Sequence, residues 1–448
     1  MFAVLLLAAM LGGCTTVERV MAPQASHNPL VAQAAELARS SATLTGTERA
    51  ANDKQIDALL AQLDNATLAH EATLLPAGDP LYNYAGRALL RRGLPLPRPF
   101  DRGPAWQFNA GNRPPADSDG YRPPVKLALL LPLSGGLATA AAPVRDGFLA
   151  GYYGEHRRRP EVVFYDTFGT AGGTLAAYDK AVAEGNDFVV GPLGRDEVGA
   201  LFGKGALPVP VLALNRGGTP PPSGNASFSL SPEDEGIAAA EFLLDRGARR
   251  VLVIGGSDDT QRRAVASLRE RLGERGGVVT DVASEGVSDF APFAAKEGGV
   301  DAIFLAAKGG TARLLMPKLA LAGLAGKPRV ATSQLLSGTG KPEDDRVLDG
   351  IAFPSEPWIT RGVRGLPPTA SVSAMLPNAK GPAARLFAFG FDAWLITAYL
   401  EHIATSADGV SGATGTLRID GFGNVQRTPA WSTFSGGVAV PLADAARR

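Results

Sequence analysis

From residue 125 onward the chain alternates short apolar runs with helix-period segments, and that alternation constrains its fold more than any other feature. The run 125–131 reads Val-Lys-Leu-Ala-Leu-Leu-Leu and stops at Pro132. A contiguous apolar run bounded by proline predicts a strand buried on both faces. A helix is expected over 144–153, then a strand over 162–165, a helix over 174–184 and a strand over 188–190. A helix over 195–202 and a strand over 209–214 complete this block. Such alternation predicts right-handed βαβ units around a parallel sheet.

The pattern then restarts. Ser231-Pro232-Glu233-Asp234 supplies an N-cap, a proline at the first helical position and acids in the first turn, so a helix should run to Arg246. Strands are expected over 251–254, 278–280, 302–306 and 329–332, with helices between them. Two consecutive blocks of about 100 residues predict two lobes with a crevice between them. A long helix over 384–403 carries Phe387, Trp394, Leu395 and Tyr399 back to one lobe. Segments 416–419 and 425–428, around Asp420-Gly421-Phe422-Gly423-Asn424, read as a closing hairpin. The fold class is α/β, with two lobes and parallel sheets.

The N-terminus sets the compartment. Residues 1–11 are apolar, and Gly12-Gly13-Cys14 follow at once. The run is too short for a spanning helix, which needs about 20 residues, and has the form of a signal-peptide core. Residues 11–14 resemble a bacterial lipobox, where a thiolate takes a diacylglyceryl group and small residues admit the peptidase. Cys14, the single cysteine, is therefore the expected lipidation site, and two or three acyl chains would anchor it stably. Thr15, in place of Asp, is by analogy an outer-membrane signal. The expected division is a signal peptide at 1–13, a lipid-anchored tether at 14–29 and a short helical segment at 30–93. A Pro/Gly-rich linker at 94–124 precedes the α/β body at 125–448. Lobe one should take about 125–230 and 356–410, and lobe two about 231–355 and 411–440.

Several functions are excluded by composition and motif. The 44 basic and 44 acidic residues cancel, so no global field draws nucleic acid. Four scattered histidines and one cysteine make no zinc ligand set, and no cofactor is implied. No Gly-x-Ser-x-Gly elbow occurs. Gly203-Lys204 lacks the following Ser or Thr, and Gly338-Thr339-Gly340-Lys341 has the wrong spacing for a phosphate loop. With no nucleophile–base pair legible, the chain is not read as an enzyme. Arg157-Arg158-Arg159 reads as an exposed helix end, and Trp358, Trp394 and Trp431 as core or interface anchors.

In parallel α/β sheets, ligands meet the carboxyl ends of strands at the crevice. The residues expected there are Ser134, Gly135, Asp166, Thr167, Pro192, Leu193, Asn215, Ser231 and Glu356. Backbone amides beside Ser134 and Thr167 would suit a carboxylate. Turn chemistry alone also selects such residues, so loop punctuation is an equal reading.

Several blocks then carry a resemblance. Residues 125–136, Pro143-Val144-Arg145-Asp146-Gly147-Phe148, Tyr165-Asp166-Thr167 and Val189-Val190-Gly191-Pro192-Leu193 resemble the LppC/LpoA family of penicillin-binding protein activators. So do Leu230-Ser231-Pro232-Glu233-Asp234-Glu235, 350–358, 386–394 and 412–417. The resemblance runs in order from Val125 to about Gly436. It implies a type I periplasmic-binding-protein-like fold on an outer-membrane lipoprotein facing the periplasm. The implied partner is a class A penicillin-binding protein, the bifunctional peptidoglycan synthase, which such proteins stimulate by contact. Family members often carry a tetratricopeptide-like domain ahead of the body. Here residues 30–93 hold fewer than two repeats of about 34 residues. The competing expectations are a lipid-anchored receptor for a small amino acid or peptide, and a purely architectural envelope lipoprotein.

Overall fold

The computed structural model describes residues 28–103, 106 and 113–442. The predicted signal peptide and Cys14 lie outside them. Asn28 caps α1 (Pro29–Ser40), its side-chain oxygen accepting from the Leu30 amide at 3.0 Å. Next come α2 (Gly46–Ala61), α3 (Asn65–Leu74), which Asp64 caps through the Thr67 amide at 2.8 Å, and α4 (Tyr82–Arg91). Val31, Ile56, Leu60, Leu68 and Leu89 meet in one core, which is why apolar residues recur there at helical spacing.

The proline-rich stretch that follows is a packed strap, where a linker was expected. Leu96 and Phe100 complete the helical core. The Arg102 guanidinium donates to the carbonyls of Ala404, Ile419 and Asp420, and Tyr121 enters the core of the next unit. Proline bars helix and ladder bonding but leaves neighbouring apolar side chains free to bury. Arg157, expected at an exposed helix end, lies 3.8 Å over the Tyr121 ring and pairs with Asp119 at 3.0 Å.

The first lobe comprises β1 (Lys126–Leu131), α5 (Ala138–Gly154), β2 (Glu161–Asp166), α6 (Ala171–Ala183) and β3 (Phe188–Val190). It continues through α7 (Arg195–Phe202), β4 (Val211–Ala213) and β5 (Ala226–Ser227). Its parallel sheet has the order β2-β1-β3-β4-β5. Leu127, Leu129 and Leu131 face one core while Ala128 and Leu130 face another. Both faces of β1 are covered, which is what its unbroken apolar run requires.

The second lobe starts with α8 (Pro232–Asp245), β6 (Arg250–Gly255), α9 (Asp259–Glu274), β7 (Val278–Ser284) and α10 (Ala291–Ala294). It continues with β8 (Ala302–Ala306), α11 (Gly309–Leu321), β9 (Arg329–Ala331), α12 (Pro342–Asp345) and β10 (Ile351–Ser355). Then α13 (Pro357–Thr360), α14 (Thr369–Met375) and α15 (Pro382–Thr405) return to lobe one. The small antiparallel sheet of β11 (Val410–Ser411), β12 (Thr416–Ile419) and β13 (Val425–Thr428) follows. Finally β14 (Ala430–Ser435) and β15 (Val438–Pro441) add antiparallel strands to the second sheet, ordered β15-β14-β10-β9-β8-β6-β7. The chain crosses between the lobes three times: after β5, after β10 and after β13.

The β12–β13 hairpin was expected with lobe two, yet Leu417, Ile419 and Val425 sit in the core of lobe one. Pairing with β10 begins only at Ala430. Before that point, the apolar face of the hairpin is matched by α15. Helix α15 is itself long and apolar enough to cross a membrane, but most of its apolar window is buried inside the body. It is a core helix. Trp394 of this helix and Trp358, stacked on its Phe387 at 5.1 Å, are buried anchors.

Candidate functional site

Parallel strands bring their carboxyl ends to one edge of the sheet, and the register Leu131↔Asp166 sets the first cluster there. The Ser134 hydroxyl donates to Asp166 at 2.6 Å, and the amides of Leu133 and Phe168 donate to the same carboxylate at 2.9 and 2.8 Å. Slight burial pushes the Asp166 carboxyl up. The Ser134 hydroxyl and the loop amides outweigh that and hold it below the usual range. Gly135 sits at φ +81°, where a Cβ would stand 2.8 Å from the Phe168 carbonyl, so the loop needs glycine. Phe168 itself has φ 55° and is 59% exposed, beside exposed Leu133 and Leu137. Ser134, Gly135 and Asp166 thus come together, but as a loop whose polar groups bind one another.

The other expected residues lie elsewhere along the same crossing region. Thr167 is fully buried, and its hydroxyl oxygen accepts from the Gly169 amide at 3.3 Å. Pro192 follows a cis peptide bond and is buried. The Leu193 carbonyl accepts from the Asn215 side-chain amide at 2.9 Å, which ties the ends of β3 and β4 together. Ser231 precedes α8 as expected, but its hydroxyl donates to the Glu233 carboxylate at 2.6 Å and does not cap the helix amides. Partial burial pushes Glu233 up, but Arg263, Ser231 and its own amide carry it down to about 2.

Glu356 belongs to a buried ion network that spans the lobes. It is 1% exposed and accepts from Arg385 Nε at 2.8 Å. Arg385 also donates to Glu235, which accepts from the Ser333 amide and hydroxyl at 2.8 Å each. Burial opposes the Arg385 charge, and the two carboxylates more than restore it. Sequence reasoning missed Arg385 and Glu235 as partners because they lie 150 positions apart. It also missed Glu197, whose carboxylate holds the Gly194 amide at 2.7 Å and the Thr174 hydroxyl at 2.9 Å. Glutamate three residues into a helix was the available signal.

A cavity of about 1130 Å³ opens between the helical segment, α8 and the β12–β13 hairpin, and none of the nine expected residues lines it. Among the described residues no group of three His, Cys, Asp or Glu side chains is placed to hold a metal ion.

Two parallel-sheet lobes joined by three crossings define the type I periplasmic-binding-protein-like class. A chain described as "putative branched-chain amino acid ABC transporter" from Chromobacterium violaceum shares it, with TM-score 0.55 and 27% identity over 69% of this chain and 100% of that one. The chain belongs to the family described as "LppC putative lipoprotein", whose model matches residues 121–289 and 288–437. "Penicillin-binding protein activator LpoA" of Photobacterium profundum is 28% identical over 356 residues, 71% of this chain and 57% of that protein. The chain therefore spans less than two thirds of the length of that curated relative. The solved "LpoA (YraM) C-domain from Haemophilus influenzae, a regulator of PBP1A" has the same fold, with TM-score 0.61 and 23% identity over 71% of this chain and all of that one. The family match starts at Tyr121, the residue through which the strap joins the core of lobe one.

Proposed function

We propose that this chain is an envelope lipoprotein, lipidated at Cys14 and held at the periplasmic face of the outer membrane. In this reading it stimulates a class A penicillin-binding protein by surface contact and performs no turnover itself. The observation that carries the reading is the relationship to the penicillin-binding protein activator over the α/β body. The crevice loops agree with it, because Ser134 and Asp166 spend their hydrogen bonds on each other. The exposed lip of Leu133, Leu137 and Phe168 suits contact with a protein better than capture of a polar solute. The likeness to the transporter-associated chain supports a solute receptor as the second reading.

The test is a glycan-polymerisation and crosslinking assay with the cognate class A synthase, with and without the purified chain. A raised rate is expected; no rate change together with no binding would sink the reading. Solute titration separates the alternatives, since a receptor would bind a free amino acid or short peptide tightly and an activator working through its outer surface would not. Anchoring is tested by Cys14→Ser, which should release the protein from membranes.

A further inference from the structure

We propose that the cavity between α4, α8 and the β12–β13 hairpin binds a carboxylate-bearing peptide or glycopeptide, with Arg427 receiving the carboxylate. The Arg427 side chain is 6% exposed and lines this cavity. Among the described residues the carboxylate paired with it, Glu356, stands at 3.9 Å, and that oxygen is already held by Arg385 at 2.8 Å. One Arg427 donor reaches the Thr414 carbonyl at 3.0 Å. A buried guanidinium carries a desolvation cost unless a close anion offsets it. Burial opposes the Arg427 charge and outweighs Glu356, Glu235 and Asp234, which favour it, and among the described residues no carboxylate comes within hydrogen-bond distance of it.

The acids around the cavity are committed to other partners. Asp234 pairs with Arg216 at 2.9 Å, Glu235 with Arg385, and Glu241 with Arg271. Asp245 is exposed and interacts with Arg246. Arg87 and Arg91 share a single carboxylate, Asp57, at 3.2 and 3.0 Å. Positive charge is therefore in surplus where α4 faces the hairpin. Arginine's planar fork meets a carboxylate with two parallel hydrogen bonds.

The size and lining narrow the ligand further. About 1130 Å³ is more than a free amino acid fills and suits a ligand of several residues. Phe242 lies between Trp431, stacked at 4.0 Å, and the Arg246 guanidinium at 3.4 Å, so Trp431 is the aromatic surface this wall can offer an aliphatic chain or a sugar ring. Gln426 and Asn424 also line the cavity, with the Gln426 amide donating to Asp420 at 2.7 Å and the Asn424 oxygen accepting from Ser227 at 3.1 Å. The site stands apart from the crevice residues and is independent of the activator reading, because a chain with no synthase contact would still carry it.

The experiment is isothermal titration of the detergent-solubilised full chain with three probes. They are a disaccharide tetrapeptide from peptidoglycan, the free tetrapeptide, and the tetrapeptide with every carboxyl amidated. Saturable binding of at least one carboxylate probe is expected, with none for the amidated one. Equal binding of the first two would assign recognition to the peptide; binding of the disaccharide form alone would assign it to the glycopeptide. Arg427→Gln, which can still donate to Thr414, should weaken binding roughly tenfold to a hundredfold. Trp431→Leu, which leaves the arginines in place, should also weaken it and covers the case where Arg427→Gln fails to fold. Absence of binding by both carboxylate probes to folded protein would overturn the proposal. So would binding that Ser134→Ala abolishes while Arg427→Gln leaves it intact.

Discussion

Gly147 of α5 and Gly390 of α15 face each other at the helix crossing that centres lobe one. A Cβ on Gly147 would stand 1.9 Å from the Phe387 carbonyl oxygen, and one on Gly390 would stand 1.9 Å from that of Val144. Both obstacles are backbone, so neither can swing aside. One turn further on, Gly151 lies against Trp394, where a Cβ would come to 2.5 Å of the ring. The close approach lets Phe148 and Trp394 meet edge to face at 5.7 Å.

Gly147→Ala and Gly390→Ala should each destabilise the protein by about 3 kcal/mol, the upper end of ordinary overpacking costs. Gly172→Ala in α6 is the contrast, because nothing lies within 4 Å of its added methyl; it should be neutral or slightly stabilising. Urea unfolding of the three variants checks the set. Equal midpoints for Gly147→Ala and Gly172→Ala would contradict the packing argument.

Asp392 should make stability depend on pH. It is fully buried, and burial pushes its carboxyl up to about 6 although Thr414 and the Ala413 amide donate to it. The folded state then binds a proton more readily than the unfolded chain. The contribution of this group is fully present below the unfolded value of 3.8 and is lost as pH rises through about 6. Asp392→Asn removes the titration. The wild type should therefore gain on this variant as pH falls from about 7 to about 4, by roughly 2 kcal/mol. A gap that stays constant across denaturation curves at those pH values would refute the assignment.

Much of the fold is legible in the sequence, for a physical reason. Strand β1 announces itself because both its faces are buried, and Ser231-Pro232 marks the start of α8 because helix ends have fixed chemistry. The hairpin around Asp420 is equally local: that carboxylate accepts from the Phe422 and Asn424 amides at 2.9 and 2.8 Å. What was not legible depends on distant partners. Strand β10 carries Pro354, which disguises it as a turn. The hairpin's allegiance to lobe one depends on α15, and the strap's burial on the four N-terminal helices. The Ser134–Asp166 pair was within reach, because strand ends in a parallel sheet converge. The cavity was not, since α4, α8 and residue 427 meet only in the folded chain.

Arg385 should behave as the keystone of the inter-lobe network. Removing it leaves Glu235, 4% exposed, and Glu356, 1% exposed, without their shared cation. Arg385→Met should cost about 3–5 kcal/mol, the usual effect of breaking a buried pair. Adding Glu235→Gln and Glu356→Gln should recover much of that loss, because no charge is then stranded. A triple variant as unstable as the single one would show that packing, not charge, is what Arg385 supplies.

The helical segment should be separable from the lobes by a few local changes, because its docking is concentrated. Phe422 of the hairpin packs into the segment's core, 4.8 Å from the Tyr84 ring, with the Arg87 guanidinium 4.7 Å above it. Arg102 ties the strap to lobe one through three carbonyls. Arg275, at the end of α9, reaches from lobe two to the Leu63 carbonyl at 2.9 Å. The surface pair Lys54–Glu270 adds little. Phe422→Ala combined with Arg102→Ala should therefore loosen residues 28–103 while leaving both lobes folded. Limited proteolysis should cut the strap sooner in the double variant and leave a resistant body of residues 113–442. That body keeps Tyr121, which a start at residue 125 would remove from the core of lobe one. An unchanged cleavage rate would mean that the segment is held by contacts other than these two.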